Sequence, residues 1–248
     1  MVQTKGSRHI FSFYSPEVIS TVWVEGATIS VRNEELVHRL VKVVKVQDGD
    51  ICVLFDSYVH ATVTILQVTK KDIKIRVDEL RNNVAIAPKI SFLLPLLKKE
   101  ALEEAVYSLC EIGVSEIQLV VTQKSRSLSA MTPKELDRLR GIVVAAAEQS
   151  KNYSFPVLQD PKNIKDAVGS INHEIDKIVF DASGKSFFEI HKKTAGKSVV
   201  LSVGPEGGLT FEELDILRDH GFDTCALTQT TLRAVQAVAV SSALFRLS

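Results

Sequence analysis

Residues 201–208 read Leu-Ser-Val-Gly-Pro-Glu-Gly-Gly, an apolar strand that runs directly into a glycine-rich turn. Thr210 and Glu213 then have the spacing of a capping box, and Leu209 and Leu214 that of a hydrophobic staple, so a helix should follow. In an open α/β sheet, ligands bind beyond the carboxyl ends of the strands, where this turn would lie. The stretch therefore predicts an α/β fold with a ligand site at the turn, and a plain structural turn is the alternative.

The composition of this turn limits the ligands that it can bind. It lacks the Lys-Ser/Thr of a P-loop and does not match the dinucleotide motif Gly-x-Gly-x-x-Gly, which disfavours a nucleotide-dependent dehydrogenase. Pro205 removes a backbone donor that a phosphate would use. Glu206 would repel a phosphate but would suit a cation or a hydroxyl donor. S-adenosylmethionine, which carries a sulfonium and a ribose diol, is chemically compatible with the turn.

Strands alternate with helices throughout the part of the chain that surrounds this turn, from about residue 86 onward. Residues 178–180 and 199–203 are nearly uninterrupted apolar runs, as expected of parallel strands covered on both faces. We predict one helix that Gly113 closes and another that begins with the capping box at Thr132 and runs to about Ser150.

The first 80 residues follow a different pattern. They contain several short strand-like runs separated by turns, and one helix that Asn33 can cap. Many short strands with one small helix favour a closed β-barrel. We therefore predict two domains, a barrel at 1–80 and an α/β domain at 86–248.

The composition of the chain excludes few classes of function. The formal net charge is zero, which gives no support for a nucleic-acid partner but leaves room for local basic patches. Three cysteines without Cys-x-x-Cys spacing predict neither a disulfide framework nor a zinc site. No apolar run reaches the ~20 residues of a membrane span, and the first residues lack the apolar core of a secretory signal. We expect a cytoplasmic protein with no metal and no membrane partner.

Five further segments of the chain, at 8–11, 38–56, 98–114, 148–150 and 227–233, accompany the turn at 203–209. In order and spacing, the six segments together resemble the RsmE-type methyltransferases of the SPOUT superfamily. Residues 203–209 resemble the signature turn of that family.

This resemblance implies both a fold and an activity. Members of the family methylate N3 of a uridine in 16S (small-subunit) ribosomal RNA, with S-adenosyl-L-methionine as the methyl donor. The implied fold is a PUA-like RNA-binding barrel at 1–80 and a SPOUT α/β domain with a deep trefoil knot at 86–248. The implied partners are small-subunit ribosomal RNA, or the assembled 30S subunit, and a second copy of the chain in a homodimer.

The resemblance also assigns residues to the site. The expected cofactor-binding residues lie in three loops: Asp181, Ala182, Ser202, Val203, Gly204, Pro205, Glu206, Gly207, Gly208, Leu227, Thr228, Thr231 and Leu232. The expected RNA-binding residues are Arg8, Arg39, Lys42, Lys45, Lys124 and Arg126; the alternative for each cluster is a solvated surface.

Arg233 and Glu206 are the expected catalytic residues. N3 of uracil must lose its proton before it attacks the methyl group, and Arg233 would stabilise the negative charge that develops. An ion pair at a helix start is the alternative for Arg233. Glu206 is the nearest acidic side chain in the turn. The apolar helix at 234–247 is expected in the core, and the family uses this region at its dimer contact.

Some positions depart from the family pattern. The family usually reads Leu-Arg-Thr-Glu-Thr-Ala where residues 232–237 read Leu-Arg-Ala-Val-Gln-Ala, so Val235 replaces an acidic residue. Lys45 replaces an expected arginine, and an arginine-bearing segment is replaced by Lys-Asn-Tyr-Ser at 151–154. Two alternatives follow: a ribosome- or RNA-binding protein with weak or no catalysis, and a SPOUT methyltransferase with a different RNA target.

Overall fold

A computed structural model describes residues 10–19, 23–69, 71–172 and 174–247. The chain divides into two compact units, Met1–Val84 and Ala85–Ser248. Each unit is built around its own sheet. The mixed α/β class predicted from the sequence is confirmed.

The first unit contains a five-stranded sheet in the order β1-β3-β4-β5-β2. Its strands are Phe11–Tyr14 (β1), Thr28–Val31 (β2), Ile51–Phe55 (β3), Val59–Val68 (β4) and Ile73–Asn82 (β5). Alternate side chains of β4 and β5 are buried, as the two-residue period of a strand requires when one face covers a core.

The one α-helix described in this unit is Glu34–His38 (α1). The Asn33 side chain accepts a hydrogen bond of 2.9 Å from the Leu36 N–H, so the predicted cap is present. A π-helical segment, Arg39–Val44, continues the helix. It ends at Lys45, whose backbone is left-handed with φ 59° and ψ 47°.

The second unit contains a six-stranded parallel sheet in the order β11-β9-β10-β6-β7-β8. Its strands are Ile90–Pro95 (β6), Glu116–Val121 (β7), Val157–Asn163 (β8), Asp176–Ser186 (β9), Val199–Val203 (β10) and Phe222–Ala226 (β11). Its α-helices are Lys99–Ile112 (α2), Pro133–Ser150 (α3), Ile164–Gly169 (α4), Phe187–Thr194 (α5), Phe211–Asp219 (α6) and Ala234–Arg246 (α7). A short 3-10 helix, Leu128–Ala130, precedes α3.

Local signals in the sequence set the ends of these helices. Gly113 follows α2 in the left-handed conformation with φ 83°, which glycine adopts without strain. Thr132 caps α3, with Pro133 at its first turn, and the helix ends at Ser150 as predicted. The predicted capping box of α6 is also present.

Helices α2 and α7 lie side by side, and their C-terminal ends meet at Arg246. The Arg246 guanidinium donates to the carbonyl oxygens of Ile112 (3.2 Å), Gly113 (2.6 Å) and Pro88 (2.8 Å). Burial lowers the pKa of Arg246. The last carbonyls of a helix lack intrahelical donors and carry partial negative charge, so they accept this cation well. The contact sets the position of α7 along α2.

Candidate active site

A cavity of about 640 Å³ opens at the carboxyl end of β10, within the size range of small-molecule sites. The three expected loops and the first turns of α2 and α7 form its walls. Arg233, Glu206 and all of the expected cofactor-binding residues except Ser202 and Gly207 line it. The structure therefore brings together loops that are far apart in sequence, because neighbouring parallel strands end at the same edge of the sheet.

Ser202 and Gly207 lie outside the residues that line the cavity. Ser202 is buried in β10, and its hydroxyl donates to the Leu93 carbonyl at 3.4 Å. A Cβ added at Gly207 would lie 3.1 Å from Cδ of Lys124. Gly207 thus makes room for the aliphatic part of Lys124, one of the expected RNA-binding residues.

The glycine-rich turn is a compact backbone loop. The Gly208 N–H donates to the Pro205 carbonyl at 2.8 Å, and Gly208 has a φ of 70°. A Cβ at Gly204 would lie 3.0 Å from both Cα of Gly208 and N of Leu209, so a side chain there would push against backbone. Gly204 is needed for the close fold of the turn, whereas Gly208 is needed for its positive φ.

Glu213 ties this turn to the loop that follows β7. Its carboxylate is buried and accepts from the backbone N–H groups of Gln123 (2.7 Å) and Thr210 (2.9 Å). A buried carboxylate needs such donors to offset the loss of water. The capping residue of α6 is therefore also a tertiary contact that fixes one side of the cavity.

Glu206 connects the turn to the start of α2. One oxygen of its carboxylate accepts a hydrogen bond of 3.0 Å from the Lys98 N–H, at the residue that precedes the helix. This N–H would otherwise have no partner within the helix. Glu206 thus has a positioning contact in addition to the catalytic role expected from the sequence.

The loop that contains Asp181 is a bulge in the longest strand of the sheet. Where β9 pairs with β11, Val179 pairs with Thr224, but the next residue of β11, Cys225, pairs with Lys185. Residues 180–184 therefore have no partner on β11, although Phe180 still pairs with Val203 of β10, and residues 180–182 reach the cavity wall. The Asp181 carboxylate accepts from the N–H (2.9 Å) and the hydroxyl (2.6 Å) of Ser183, which holds the bulge in shape.

Gly184, which is not among the residues predicted from the sequence, makes this bulge possible. A Cβ at Gly184 would lie 2.4 Å from N of Cys225 and 2.5 Å from C of Thr224. Cys225 is buried there, and burial raises the pKa of its thiol to about 11. A single glycine inside a strand pattern is typical of a bulge or a close backbone approach, and that signal could have identified it.

Arg233 lies at the end of the last loop, directly before the first turn of α7. Its Nε donates to the Gln236 side-chain oxygen at 2.8 Å, and the side chain is otherwise exposed in the cavity. Val235, at the position where the family has an acidic residue, is nearly buried and forms an apolar part of the wall. The cavity therefore has a cationic and an apolar side at α7.

Helix α2 contributes wall residues that the sequence analysis did not select. Glu100, Ala101 and Glu104 line the cavity from one face of the helix. The spacing i, i+4 predicts a shared face, but which face meets a cavity depends on tertiary packing. No local signal in the sequence could have identified them.

The expected RNA-binding residues differ in their surroundings. Arg8 lies outside the described residues. The Arg39 guanidinium lies 5.2 Å from the centre of the Phe13 ring. Lys42 is exposed on the same helical segment, and Lys45 is exposed directly after it.

Arg126, also expected to bind RNA, lies in the second unit and forms a bidentate ion pair with Glu135. The two N–O distances are 2.6 Å and 2.9 Å. The hydrogen bond from Arg126 lowers the pKa of Glu135. The guanidinium is therefore already engaged within the protein, and RNA would compete with this ion pair.

The described part of the chain contains neither a candidate metal site nor a candidate membrane span. No three or more His, Cys, Asp or Glu side chains there are grouped so that they could hold a metal ion. None of the helices described combines the length and the apolar character needed to cross a membrane.

The second unit matches a known family almost from end to end. Residues 85–246 match the model of the RNA methyltransferase domain. The chain belongs to this family. The cavity therefore lies within the RNA methyltransferase domain, and the family resemblance given by the sequence motifs is confirmed.

Individual relatives extend the similarity to most of the chain. The "Ribosomal RNA small subunit methyltransferase E" of Synechocystis sp. is 25% identical, covering 98% of this chain and 80% of the relative. The Bacillus subtilis protein of the same name is 28% identical, covering 86% and 87%.

A solved structure shares the fold. It is the ribosomal RNA small subunit methyltransferase E of Neisseria gonorrhoeae bound to S-adenosyl methionine. Its TM-score to this chain is 0.83 at 23% identity, over 96% of this chain and 98% of that one.

Proposed function

We propose that the chain is an S-adenosyl-L-methionine-dependent methyltransferase that modifies N3 of a uridine in 16S (small-subunit) ribosomal RNA. The observation that carries the proposal is the cavity that three loops form in an RNA methyltransferase domain. The names of the relatives support small-subunit ribosomal RNA as the substrate, and the bound ligand of the Neisseria structure supports the donor.

The residues of the cavity fit this donor. The volume of about 640 Å³ can hold a molecule of its size. Asp181 and Glu206 place carboxylates where a sulfonium or a ribose diol could approach, and the glycine turn leaves its backbone accessible. When bound, S-adenosylmethionine supplies the methyl group. The loops 181–182, 203–208 and 227–232 would hold it.

The chain's own contribution to the reaction is orientation and charge stabilisation. Uracil develops negative charge as N3 loses its proton, and a preorganised cation beside it lowers the barrier. Arg233 supplies that cation, because Gln236 holds its Nε while the terminal nitrogens have no hydrogen-bond partner among the described residues. The target base has to leave its stack to enter such a cavity.

We also propose the finer architecture that the family resemblance implies. Residues 1–80 form a PUA-like RNA-binding barrel, and residues 86–248 form a SPOUT domain with a trefoil knot. The match to a solved relative over 96% of the chain supports both assignments. Arg8, Arg39, Lys42 and Lys45 would supply salt-sensitive contacts to the RNA backbone. The enzyme would act in the cytoplasm, where ribosomal RNA is found.

A homodimer is part of the same proposal. The outer face of α7 exposes Val240, Leu247 is exposed directly after the helix, and α5 exposes Phe188 beside Phe187. The Phe187 ring packs against Phe245 of α7 with centroids 5.7 Å apart, so α5 begins beside the C-terminal part of α7. Apolar groups that are exposed together mark interaction sites.

The combined substitution of Phe188 and Val240 by glutamate is expected to convert the dimer to a monomer, because charge cannot be buried unpaired at an apolar contact. Sedimentation velocity measures the change. Phe211→Glu is the matched control. Phe211 is 85% exposed on α6. Helix α6 packs with Val179 on one face of the sheet, whereas α7 contacts Phe180 on the opposite face. A wild-type chain that is already monomeric would contradict the dimer.

The second candidate function is an RNA-binding protein with weak or no catalysis. One observation favours it: Val235 makes that part of the cavity wall apolar, where the family pattern has an acidic residue.

Two measurements test the proposed function and separate these candidates. In a strain that lacks the gene, mass spectrometry of small-subunit ribosomal RNA should show loss of 3-methyluridine, and the intact gene should restore it. Unchanged 3-methyluridine would contradict the uridine-N3 assignment. Calorimetry should show binding of S-adenosylmethionine. If the donor does not bind, the methyltransferase proposal is wrong; if it binds but no RNA is methylated, the second candidate is favoured.

A further inference from the structure

Two carboxylates without partners lie on the part of the cavity wall that α2 forms. Glu100 and Glu104 stand one helical turn apart, both are exposed, and both line the cavity. Within the described part of the chain, neither makes a hydrogen bond or an ion pair. Carboxylates free of structural contacts inside a proposed active site are available for chemistry.

The other carboxylates of the cavity wall are engaged. Asp181 accepts two hydrogen bonds from Ser183, and Glu206 accepts one from the Lys98 N–H. Position 235 carries valine and offers no acid. Among the described residues of the cavity wall, the carboxylates that are free to accept the N3 proton are therefore those on α2.

The order of the lining residues along α2 and α7 indicates which α2 carboxylate lies nearer Arg233. Helices α2 and α7 both begin at the cavity and meet at their C-terminal ends, so they run in the same direction. The first lining residue on α2 is Glu100, and the first on the α7 side is Arg233, which directly precedes that helix. Glu104 lies one helical turn farther from this end.

We propose that Glu100 is the catalytic base that accepts the N3 proton of the target uridine; this rests on the function proposed above. The proton moves from N3 to the Glu100 carboxylate. The electron pair left on N3 forms the new bond to the methyl carbon, and the pair of the broken carbon–sulfur bond stays on sulfur. Arg233, at the same end of the two helices, stabilises the negative charge that develops on the uracil ring.

Other charged groups lie near Glu100 on its helix or line the same cavity. On its own helix these are Lys98, Lys99 and Glu104; from the opposing elements they are Arg233, Glu206 and Asp181. Glu100 lies in the first turn of α2.

The test is Glu100→Gln, which keeps the shape and removes the base. With 30S subunits that lack the modification as substrate, we expect kcat/KM at neutral pH to fall by about 100-fold or more. The loss should shrink as the pH rises, because solvent then removes the N3 proton. Affinity for S-adenosylmethionine in calorimetry should be unchanged, which also shows that the variant is folded.

Two matched controls accompany this variant. Glu104→Gln removes the neighbouring carboxylate, and Glu111→Gln removes an exposed one at the far end of α2, outside the cavity. Glu111→Gln should retain the wild-type activity, whereas Glu104→Gln should lose less activity than Glu100→Gln. Full activity of Glu100→Gln, a loss that does not vary with pH, or an equal loss in Glu104→Gln would overturn the assignment. A wild-type protein that methylates nothing would instead overturn the proposed function, and this step with it.

Discussion

Gly184→Ala is expected to lower the free energy of unfolding of the second unit by about 3 kcal/mol, at the upper end of overpacking effects. The added Cβ would lie 2.4 Å from N of Cys225 and 2.5 Å from C of Thr224, and backbone cannot move aside as a flexible side chain can. Either β11 moves away from β9 or the bulge at 180–184 changes shape. Binding of S-adenosylmethionine should weaken as well, because the bulge carries Asp181 and Ala182 into the cavity wall.

Urea unfolding followed by circular dichroism measures the stability change, and calorimetry measures the affinity. Gly141→Ala is the matched control, because it makes the same chemical change in the exposed interior of α3, where a Cβ meets nothing within 4 Å. It should stabilise the helix by about 0.5–1 kcal/mol. If Gly184→Ala is as stable as Gly141→Ala, the strands are not packed as described.

Arg233→Ala should reduce kcat/KM for methylation by about 100- to 1000-fold, the range seen when one charge-stabilising group is removed. The dissociation constant for S-adenosylmethionine should change little, because the loops 181–182, 203–208 and 227–232 would remain intact. Methyl transfer to 30S subunits and calorimetry with the donor alone measure the two effects separately.

Two further variants define what Arg233 contributes. Arg233→Lys keeps the charge but loses the planar guanidinium, so a partial loss would indicate that directed hydrogen bonds matter. Gln236→Ala removes the acceptor that holds Nε and should give a smaller loss through poorer orientation. Equal losses of methylation and donor binding in Arg233→Ala would reassign Arg233 to the cofactor site.

The features that the sequence predicts well are local ones. The capping box of Thr210 and Glu213, the cap at Asn33 and the helix end at Gly113 depend on residues within one turn of each other, and all three are present. The apolar run of β10 also predicted a strand covered on both faces, and all five of its residues are buried. Such patterns predict structure because the residues that form them also make the stabilising contacts.

The features that the sequence did not predict depend on tertiary packing. Glu100 stands on an exposed helical face, and only the position of α2 beside α7 brings it to the cavity. Gly184 is explained by the backbone of β11, some forty residues later.

The same limit applies inside the glycine motif. Ser202 and Gly207 belong to it but lie outside the cavity lining, because strand side chains alternate between faces and Lys124 covers Gly207. A motif marks a loop without showing which of its residues face the ligand.

The strand order of the second unit has a consequence for synthesis. At the centre of the sheet, Leu201 of β10 pairs with Phe92 of β6, and 109 residues separate them. Contacts between distant residues form slowly, whereas β3, β4 and β5 of the first unit are consecutive antiparallel neighbours. A growing chain can thus assemble the first sheet early, but the second stays open until β10 and β11 leave the ribosome. Residues 227–237 supply part of the cavity wall, so the site is incomplete in any growing chain that has not yet reached them.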